Sequence, residues 1–343
     1  MKRNSFAQSM WHMVLLALLV VVPVAAGAQN IPSAQVLKRA VQEAHAKFKD
    51  VKDGAPADYI PELAKVPPEL FGVAIVTARG DVYTAGDVDY AFTIQSVSKP
   101  FVAALVMQDY GSADVIREKI GVEPTGQKFN SLLATQILPQ VSANPLVNSG
   151  AIASTSLVKA KNAEDRFDRI MKFFESLSAA KLSVIQDVYH SEAATNQRNR
   201  AHAYILFVND RIYSDPMEAV DIYTRQCSIG VTAKQLAVMG ATLANSGVNP
   251  ITGSRVLDSK YVPKILAIMM TAGFYNESGL WSFTAGLPAK TGVGGGIVAV
   301  VPGQMAIVGF SPRVNDAGNS VRSMKAIEYI SDELGLNLFG SGR

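Results

Sequence analysis

One cysteine, Cys227, and four histidines are spread over 343 residues. A single cysteine excludes an internal disulfide and any thiolate cage for a metal. His45, His190 and His202, the histidines beyond the first 28 residues, show no metal-ligand spacing. Neither a metal nor a cofactor is expected. Charged residues make up only 18% of the chain, with a net charge of +3 and no basic cluster, which gives no footing for nucleic-acid binding. No G-x-S-x-G motif is present, and with so few histidines a Ser-His-Asp hydrolase is disfavoured. Repeats and low-complexity linkers are also missing.

Long apolar runs are confined to the start. Lys2 and Arg3 precede Met13–Val24, and Ala26-Gly27-Ala28 offers a cleavage site before Gln29. This is the layout of a secretory signal peptide over residues 1–28. The run is short for a membrane span and contains Pro23, so cleavage is preferred over a retained anchor. Export is expected, with a periplasmic location and no membrane association after cleavage. The remaining 315 residues carry 30 Lys+Arg against 29 Asp+Glu, a net +1. They suffice for one domain, 29–343, whose fold must rest on its core rather than on cross-links.

Periodicity predicts an opening helix over Ser33–Phe48, with Val36, Leu37, Ala40, Val41 and Ala44 on one face. Strands are expected at Phe71–Ala78 and Val82–Gly86 around Arg79-Gly80-Asp81. The middle is mostly helical, with helices at Phe101–Asp109, Asn148–Lys159, Ala163–Leu177, Met217–Gln226 and Thr232–Asn245, the last with Thr232 as N-cap. Strands return at Gly296–Val301 and Met305–Phe310 about a Pro302-Gly303-Gln304 turn. A final helix over Ser320–Leu334 stops at Gly335. The expected class is α+β: an antiparallel sheet built from both ends of the chain (29–95 and 286–343), with flanking helices and a mainly helical part, 96–285, inserted between.

Two motifs carry chemistry. Ile94–Phe101, IQSVSKPF, places Ser96 and Lys99 three residues apart, and Lys290-Thr291-Gly292 reads K-T-G far downstream. S-x-x-K followed by K-T-G suits a serine nucleophile activated by a lysine, and so acyl transfer. Pro100 is comfortable only in the first turn of a helix, which should therefore begin at about Ser96 or Val97. Ser96 then meets the positive end of the helix dipole, with Lys99 on the same face. Lys99 can act as base only uncharged. Burial and a second cation, for which Lys290 is the candidate, would lower its pKa. Gly292, Gly294, Gly295 and Gly296 around Val293 let the backbone approach a ligand, and an N–H there could join that of Ser96 in an oxyanion hole. Taken singly, S-x-x-K also fits a surface helix start, and the glycines also fit a close-packed strand crossing.

The sequence resembles the serine-dependent glutaminases, which share the β-lactamase/transpeptidase fold. The resemblance runs from Asp58 to near the C-terminus through DYIPELAK (58–65), IQSVSKPF (94–101), GVEPTGQKFNS (121–131), NPLVNSGAI (144–152), the SE and RN pairs within Ser191–Asn199, YTRQCSI (223–229), LANSGVNPITG (243–253) and LPAKTGVGGGI (287–297). It implies Ser96 as nucleophile, Lys99 as its base and Tyr275 as a proton-transfer partner. It also implies Tyr59, Ser96, Asn148, Glu192, Asn199, Tyr223, Tyr275 and Val293 as substrate-binding positions, with the Ser96 and Val293 N–H groups as oxyanion hole and Lys290 as electrostatic support. In that reading Glu192 meets the ammonium of L-glutamine, while Asn148, Asn199, Tyr59 and Tyr223 donate to its carboxylate. The implied reaction is hydrolysis of glutamine to glutamate and ammonia by a homodimer or homotetramer. Ser149 stands where alanine is usual, and K-T-G where K-S-G is common. The rivals are a β-lactamase or penicillin-binding enzyme, and an exported amino-acid-binding protein that has lost catalysis.

Overall fold

The computed structural model describes residues 31–137 and 142–340. The signal-peptide reading lies outside the described residues. Strands β1 (Gly72–Thr77), β2 (Val82–Gly86), β6 (Ala289–Thr291), β7 (Gly296–Val301) and β8 (Met305–Phe310) form one antiparallel sheet in the order β2-β1-β8-β7-β6. Its two halves come from opposite ends of the chain and meet where β1 pairs with β8, Val73 opposite Gly309 and Ile75 opposite Ile307. The expected α+β class, with its sheet built from both termini, is the fold observed.

Every residue of β1, β7 and β8 is buried, because both faces of the sheet are covered. On one face Val73, Ile75, Ile297, Ala299 and Ile307 pack against the helices Ala34–Phe48 and Val321–Leu334. On the other, Ala74, Val76, Val298, Val300, Ala306 and Val308 join the large core of the inserted helical part. The helix Ala233–Ala244 lies directly on that face. It can do so because residue 240 is glycine: a Cβ there would stand 2.6 Å from Val298 Cγ2 and 2.7 Å from Ala306 Cβ.

The Thr232 cap and the Gly335 stop fall where the sequence places them, while Ser33, expected as the first helical residue, is a cap instead. Thr232 and Gln235 form a reciprocal capping box, Ser33 caps the first helix, and Gly335 ends the last one in the left-handed region. The Pro302-Gly303-Gln304 turn joins β7 to β8. The nucleophile segment starts in two steps rather than one. Gln95–Ser98 is a 3₁₀ turn, and the α-helix runs Lys99–Tyr110 with Pro100 in its first turn.

The helices Gln186–Thr195, Gln197–Val208 and Val262–Ala272 were not expected from periodicity. Nor was the small sheet of β3 (Phe92–Thr93), β5 (Ile229–Val231) and β4 (Ser183–Val184). Strands of two or three residues are too short to show alternation. No described helix is long and apolar enough to cross a membrane.

Candidate active site

The helix that Pro100 opens is apolar from Pro100 to Met107 and buried all round. Lys99 therefore begins a stretch that is buried through Met107 and is itself 1% exposed. Strand alternation brings Lys290 to the same region: it pairs across the ladder with Val298, so both point toward the inserted part. Val293 reaches the Ser96 segment through glycines. A Cβ at Gly294 would overlap the Thr93 carbonyl, and one at Gly292 would lie 3.0 Å from Val97 Cγ2, so the turn presses against the Thr93–Val97 backbone.

These elements close around a cavity of about 350 Å³. Tyr59, Ser96, Asn148, Glu192, Asn199, Tyr223 and Val293 line it. Tyr275, Lys99 and Lys290 stand behind this lining. The Tyr275 ring lies 5.2 Å from Phe129, itself a lining residue, and Lys99 Nζ lies 5.7 Å from the Tyr275 ring and 5.8 Å from the Tyr223 ring. All ten positions singled out in the sequence thus come together.

Burial drives the Lys99 pKa down to about 7, against the opposing pull of Cys227 and Glu192. Its amine donates to Asn148 Oδ1 at 2.8 Å and to the Leu146 carbonyl at 3.4 Å. Asn148 passes the linkage on: its Nδ2 donates to Asn199 Oδ1 at 2.9 Å, and the Tyr223 hydroxyl donates to its Oδ1 at 3.3 Å. Asn148 is therefore engaged with Lys99, a contact the resemblance did not supply. Glu192 is 6% exposed, and burial raises its carboxyl to about 7, with the Gln95 hydrogen bond opposing.

Burial also pushes the Tyr275 phenol far up, so it stays protonated at neutral pH. Its hydroxyl adjoins Ser96 and has no hydrogen-bond partner among the described residues. Tyr275 itself sits at φ +58, in the left-handed region. Lys290 is fully buried as well. Burial first, and Lys99 second, push its amine well below the usual range, and Lys290 is not among the causes of the Lys99 shift.

Gln95 was missed in the sequence. It holds φ +47 directly before the nucleophile, a strained conformation for a residue with a side chain, and its Nε2 donates to Glu192 Oε2 at 3.1 Å. Its place inside IQSVSKPF was the only available signal. Phe129, Asn130 and Arg198 also line the cavity and were not singled out. Among the described residues, no group of histidine, cysteine or acidic side chains could hold a metal.

The glutaminase family model matches residues 54–339. The chain belongs to the glutaminase family. Glutaminases of Mycobacterium ulcerans (strain Agy99) and Colwellia psychrerythraea (strain 34H / ATCC BAA-681) are 51% and 48% identical to it over 303 and 308 residues. Those alignments cover 88% and 90% of this chain and 94% and 99% of the relatives. The solved structure named "Probable glutaminase ybaS" superposes with a TM-score of 0.89 at 47% identity, over 90% of this chain and all of that one. A Bacillus glutaminase superposes at 0.77 with 30% identity, over 82% of this chain and 96% of its own. Glu192 and Ser96 line the same cavity, and Lys99 is buried behind that lining.

Proposed function

We propose that this glutaminase hydrolyses L-glutamine to L-glutamate and ammonia through an acyl-enzyme on Ser96, with Lys99 as general base. One observation carries the reading: a lysine amine brought to about pH 7 by burial, three residues from a buried serine at a polar cavity. Lys99 takes the serine proton as Oγ attacks the carboxamide carbon. The Ser96 and Val293 N–H groups receive the developing negative charge on the carboxamide oxygen. The C–N bond then breaks. The Tyr275 hydroxyl gives its proton to the departing nitrogen and recovers one from Lys99, so the serine proton leaves with ammonia. Water then attacks the γ-glutamyl ester; Lys99 accepts its proton and returns it to Ser96 Oγ as the C–O bond breaks and glutamate leaves.

Glu192 pairs with the substrate ammonium, and that positive charge draws its carboxyl back to the ionised form. Asn199, Tyr59 and Tyr223 orient the α-carboxylate. A solved structure, Mglu in its glutamate form, superposes with a TM-score of 0.84 at 34% identity, which supports an amino-acid ligand for this fold. Signal cleavage before Gln29, periplasmic export and assembly as a homodimer or homotetramer belong to the same proposal. N-terminal sequencing of exported protein and sedimentation of the purified chain test them.

The deciding experiment is ammonia release from glutamine, asparagine and γ-glutamyl amides by wild-type and Ser96→Ala protein. Glutamine turnover should fall by at least about 10³-fold in Ser96→Ala, with the melting temperature kept. Retained turnover would remove Ser96 as nucleophile. Wild-type kcat should rise with pH through about 7, as Lys99 loses its proton.

A further inference from the structure

We propose that Lys290 is a positioning residue for Tyr275: its amine ties down the strained turn that holds the phenol beside Ser96, and it acts as a hydrogen-bond donor rather than as a cation. This rests on the reading of Ser96 as nucleophile and Tyr275 as its proton-transfer partner.

Lys290 is fully buried. Its Nζ donates to the Gly273 carbonyl at 3.1 Å and to the Thr291 carbonyl at 2.7 Å, and lies 4.0 Å from the centre of the Tyr275 ring. No carboxylate pairs with it among the described residues. Two carbonyls account for both N–H groups of an uncharged amine. Gly273 opens the turn that leads to Tyr275, whose φ of +58 is a conformation side chains adopt rarely. Such a backbone persists only where its surroundings enforce it. Lys290 enforces it from the strand side. Ser278 does so from the other, where its hydroxyl accepts from the Phe274 N–H at 3.0 Å and donates to the Tyr275 carbonyl at 2.9 Å. With the turn tied at both ends and a lysine beneath the ring, the unpartnered phenol stays aimed at the reacting atoms.

The alternative, a fixed positive charge, makes a different prediction through Lys99. That amine faces Glu192, Cys227 and the Tyr223 and Tyr275 rings, with Lys290 and His202 nearby. A charged Lys290 would hold the Lys99 pKa down, and its removal would carry the acid limb of the kcat profile to higher pH. An uncharged Lys290 leaves that limb in place.

The test uses the full chain with Lys290→Met and Lys290→Gln, measuring kcat and KM against pH beside melting temperature. Lys290→Met should lower kcat at least about tenfold with KM within about threefold, and Lys290→Gln, which keeps an N–H donor, should recover part of the loss. The acid limb should stay within about 0.3 pH units. A limb moved up by about one unit or more overturns the inference in favour of a cation. So does wild-type kcat in Lys290→Met. Should Lys290→Met not fold, Ser278→Ala cuts the opposite tie and should give the same loss confined to kcat; an unchanged kcat there also overturns the inference. Activity in Ser96→Ala would sink the nucleophile reading instead. An inactive Ser96→Ala beside a fully active Lys290→Met would sink this inference alone.

Discussion

The sheet and the pocket wall follow opposite rules. In β1, β7 and β8 every apolar side chain is buried against one of two cores, and the flanking helices present apolar faces to the sheet and polar ones to solvent. In the wall helices Gln186–Thr195 and Gln197–Val208 the pattern is broken: Val188, Ala203 and Leu206 are buried as in any helix, but polar side chains join them. Glu192, Asn199 and His202 are buried, while Tyr204 and Phe207 are each 56% exposed and Val208 is 75% exposed. Local rules and the global fold agree where a segment only supports. They part where a segment must hold polar groups in a dry place, and there stability yields to chemistry.

The largest effect that sharpens this contrast is expected at Glu192. Glu192→Gln should weaken glutamine binding by about 2–5 kcal/mol, read as a rise in KM of about 30-fold or more, because the substrate ammonium would be buried without its counter-charge. Folding should not suffer, since a carboxyl already held near pH 7 by burial contributes nothing in its charged form to the stability of the empty enzyme. An unchanged KM would remove Glu192 from the ammonium site. Gly240→Val is the counterpart on the sheet. The added side chain must push Val298 and Ala306 aside, at a cost of about 3 kcal/mol, with kcat per folded molecule unchanged. Equilibrium unfolding in urea measures the loss; a midpoint equal to wild type would mean that the helix does not rest on the sheet as described.

Lys99→Met separates the two regions by sign. The folded-state pKa of Lys99 is about 7, below its ordinary 10.5. The unfolded chain thus binds more protons between those values, so this lysine makes the protein less stable as pH falls from about 10.5 toward 7. Removing it should abolish turnover and raise stability on the order of 2 kcal/mol at pH 8, with the gain shrinking at higher pH. A variant less stable than wild type across that range would show that the buried amine is held by its bonds to Asn148 and Leu146 more strongly than burial disfavours it.

The sequence was legible where local chemistry decides. The 3.6-residue spacing of Leu37, Ala40, Val41 and Ala44 predicts the first helix, and the two end-of-chain strand pairs predict the sheet. Pro100 dates the start of the nucleophile helix to within a turn, the resemblance supplies the pocket side chains, and the structure gathers them. What escaped depends on contacts far apart in sequence. The wall helices carry no clean apolar stripe to read, because polar Glu192, Asn199 and His202 share their buried face with Val188, Ala203 and Leu206. The left-handed backbone at Gln95 and Tyr275 goes with side-chain contacts to residues 97 and 15 positions away, Glu192 and Lys290. Lys290 reads as a cation in a motif, yet its complete burial, which lowers its pKa, is something no spacing reveals.

The smallest expected effect tests whether helix ends follow the same division. Thr232 accepts from the Gln235 N–H at 3.2 Å, and Gln235 Oε1 accepts from the Thr232 N–H at 2.9 Å, so the helix that rests on the sheet begins with both donors satisfied. Asn196 precedes the wall helix Gln197–Val208 and is a residue type that caps well, yet its side chain makes no cap. It donates instead to Thr224 Oγ1 at 3.2 Å and accepts from Arg200 Nε at 2.8 Å. Thr232→Ala should therefore lower stability by about 1 kcal/mol and leave kcat and KM alone, as the loss of a cap does. Asn196→Ala breaks no cap but loosens the join between Glu192 and Asn199, so its effect should appear in KM before it appears in the melting curve. Equal losses of stability with unchanged kinetics in both variants would erase the distinction between the two regions at their helix ends.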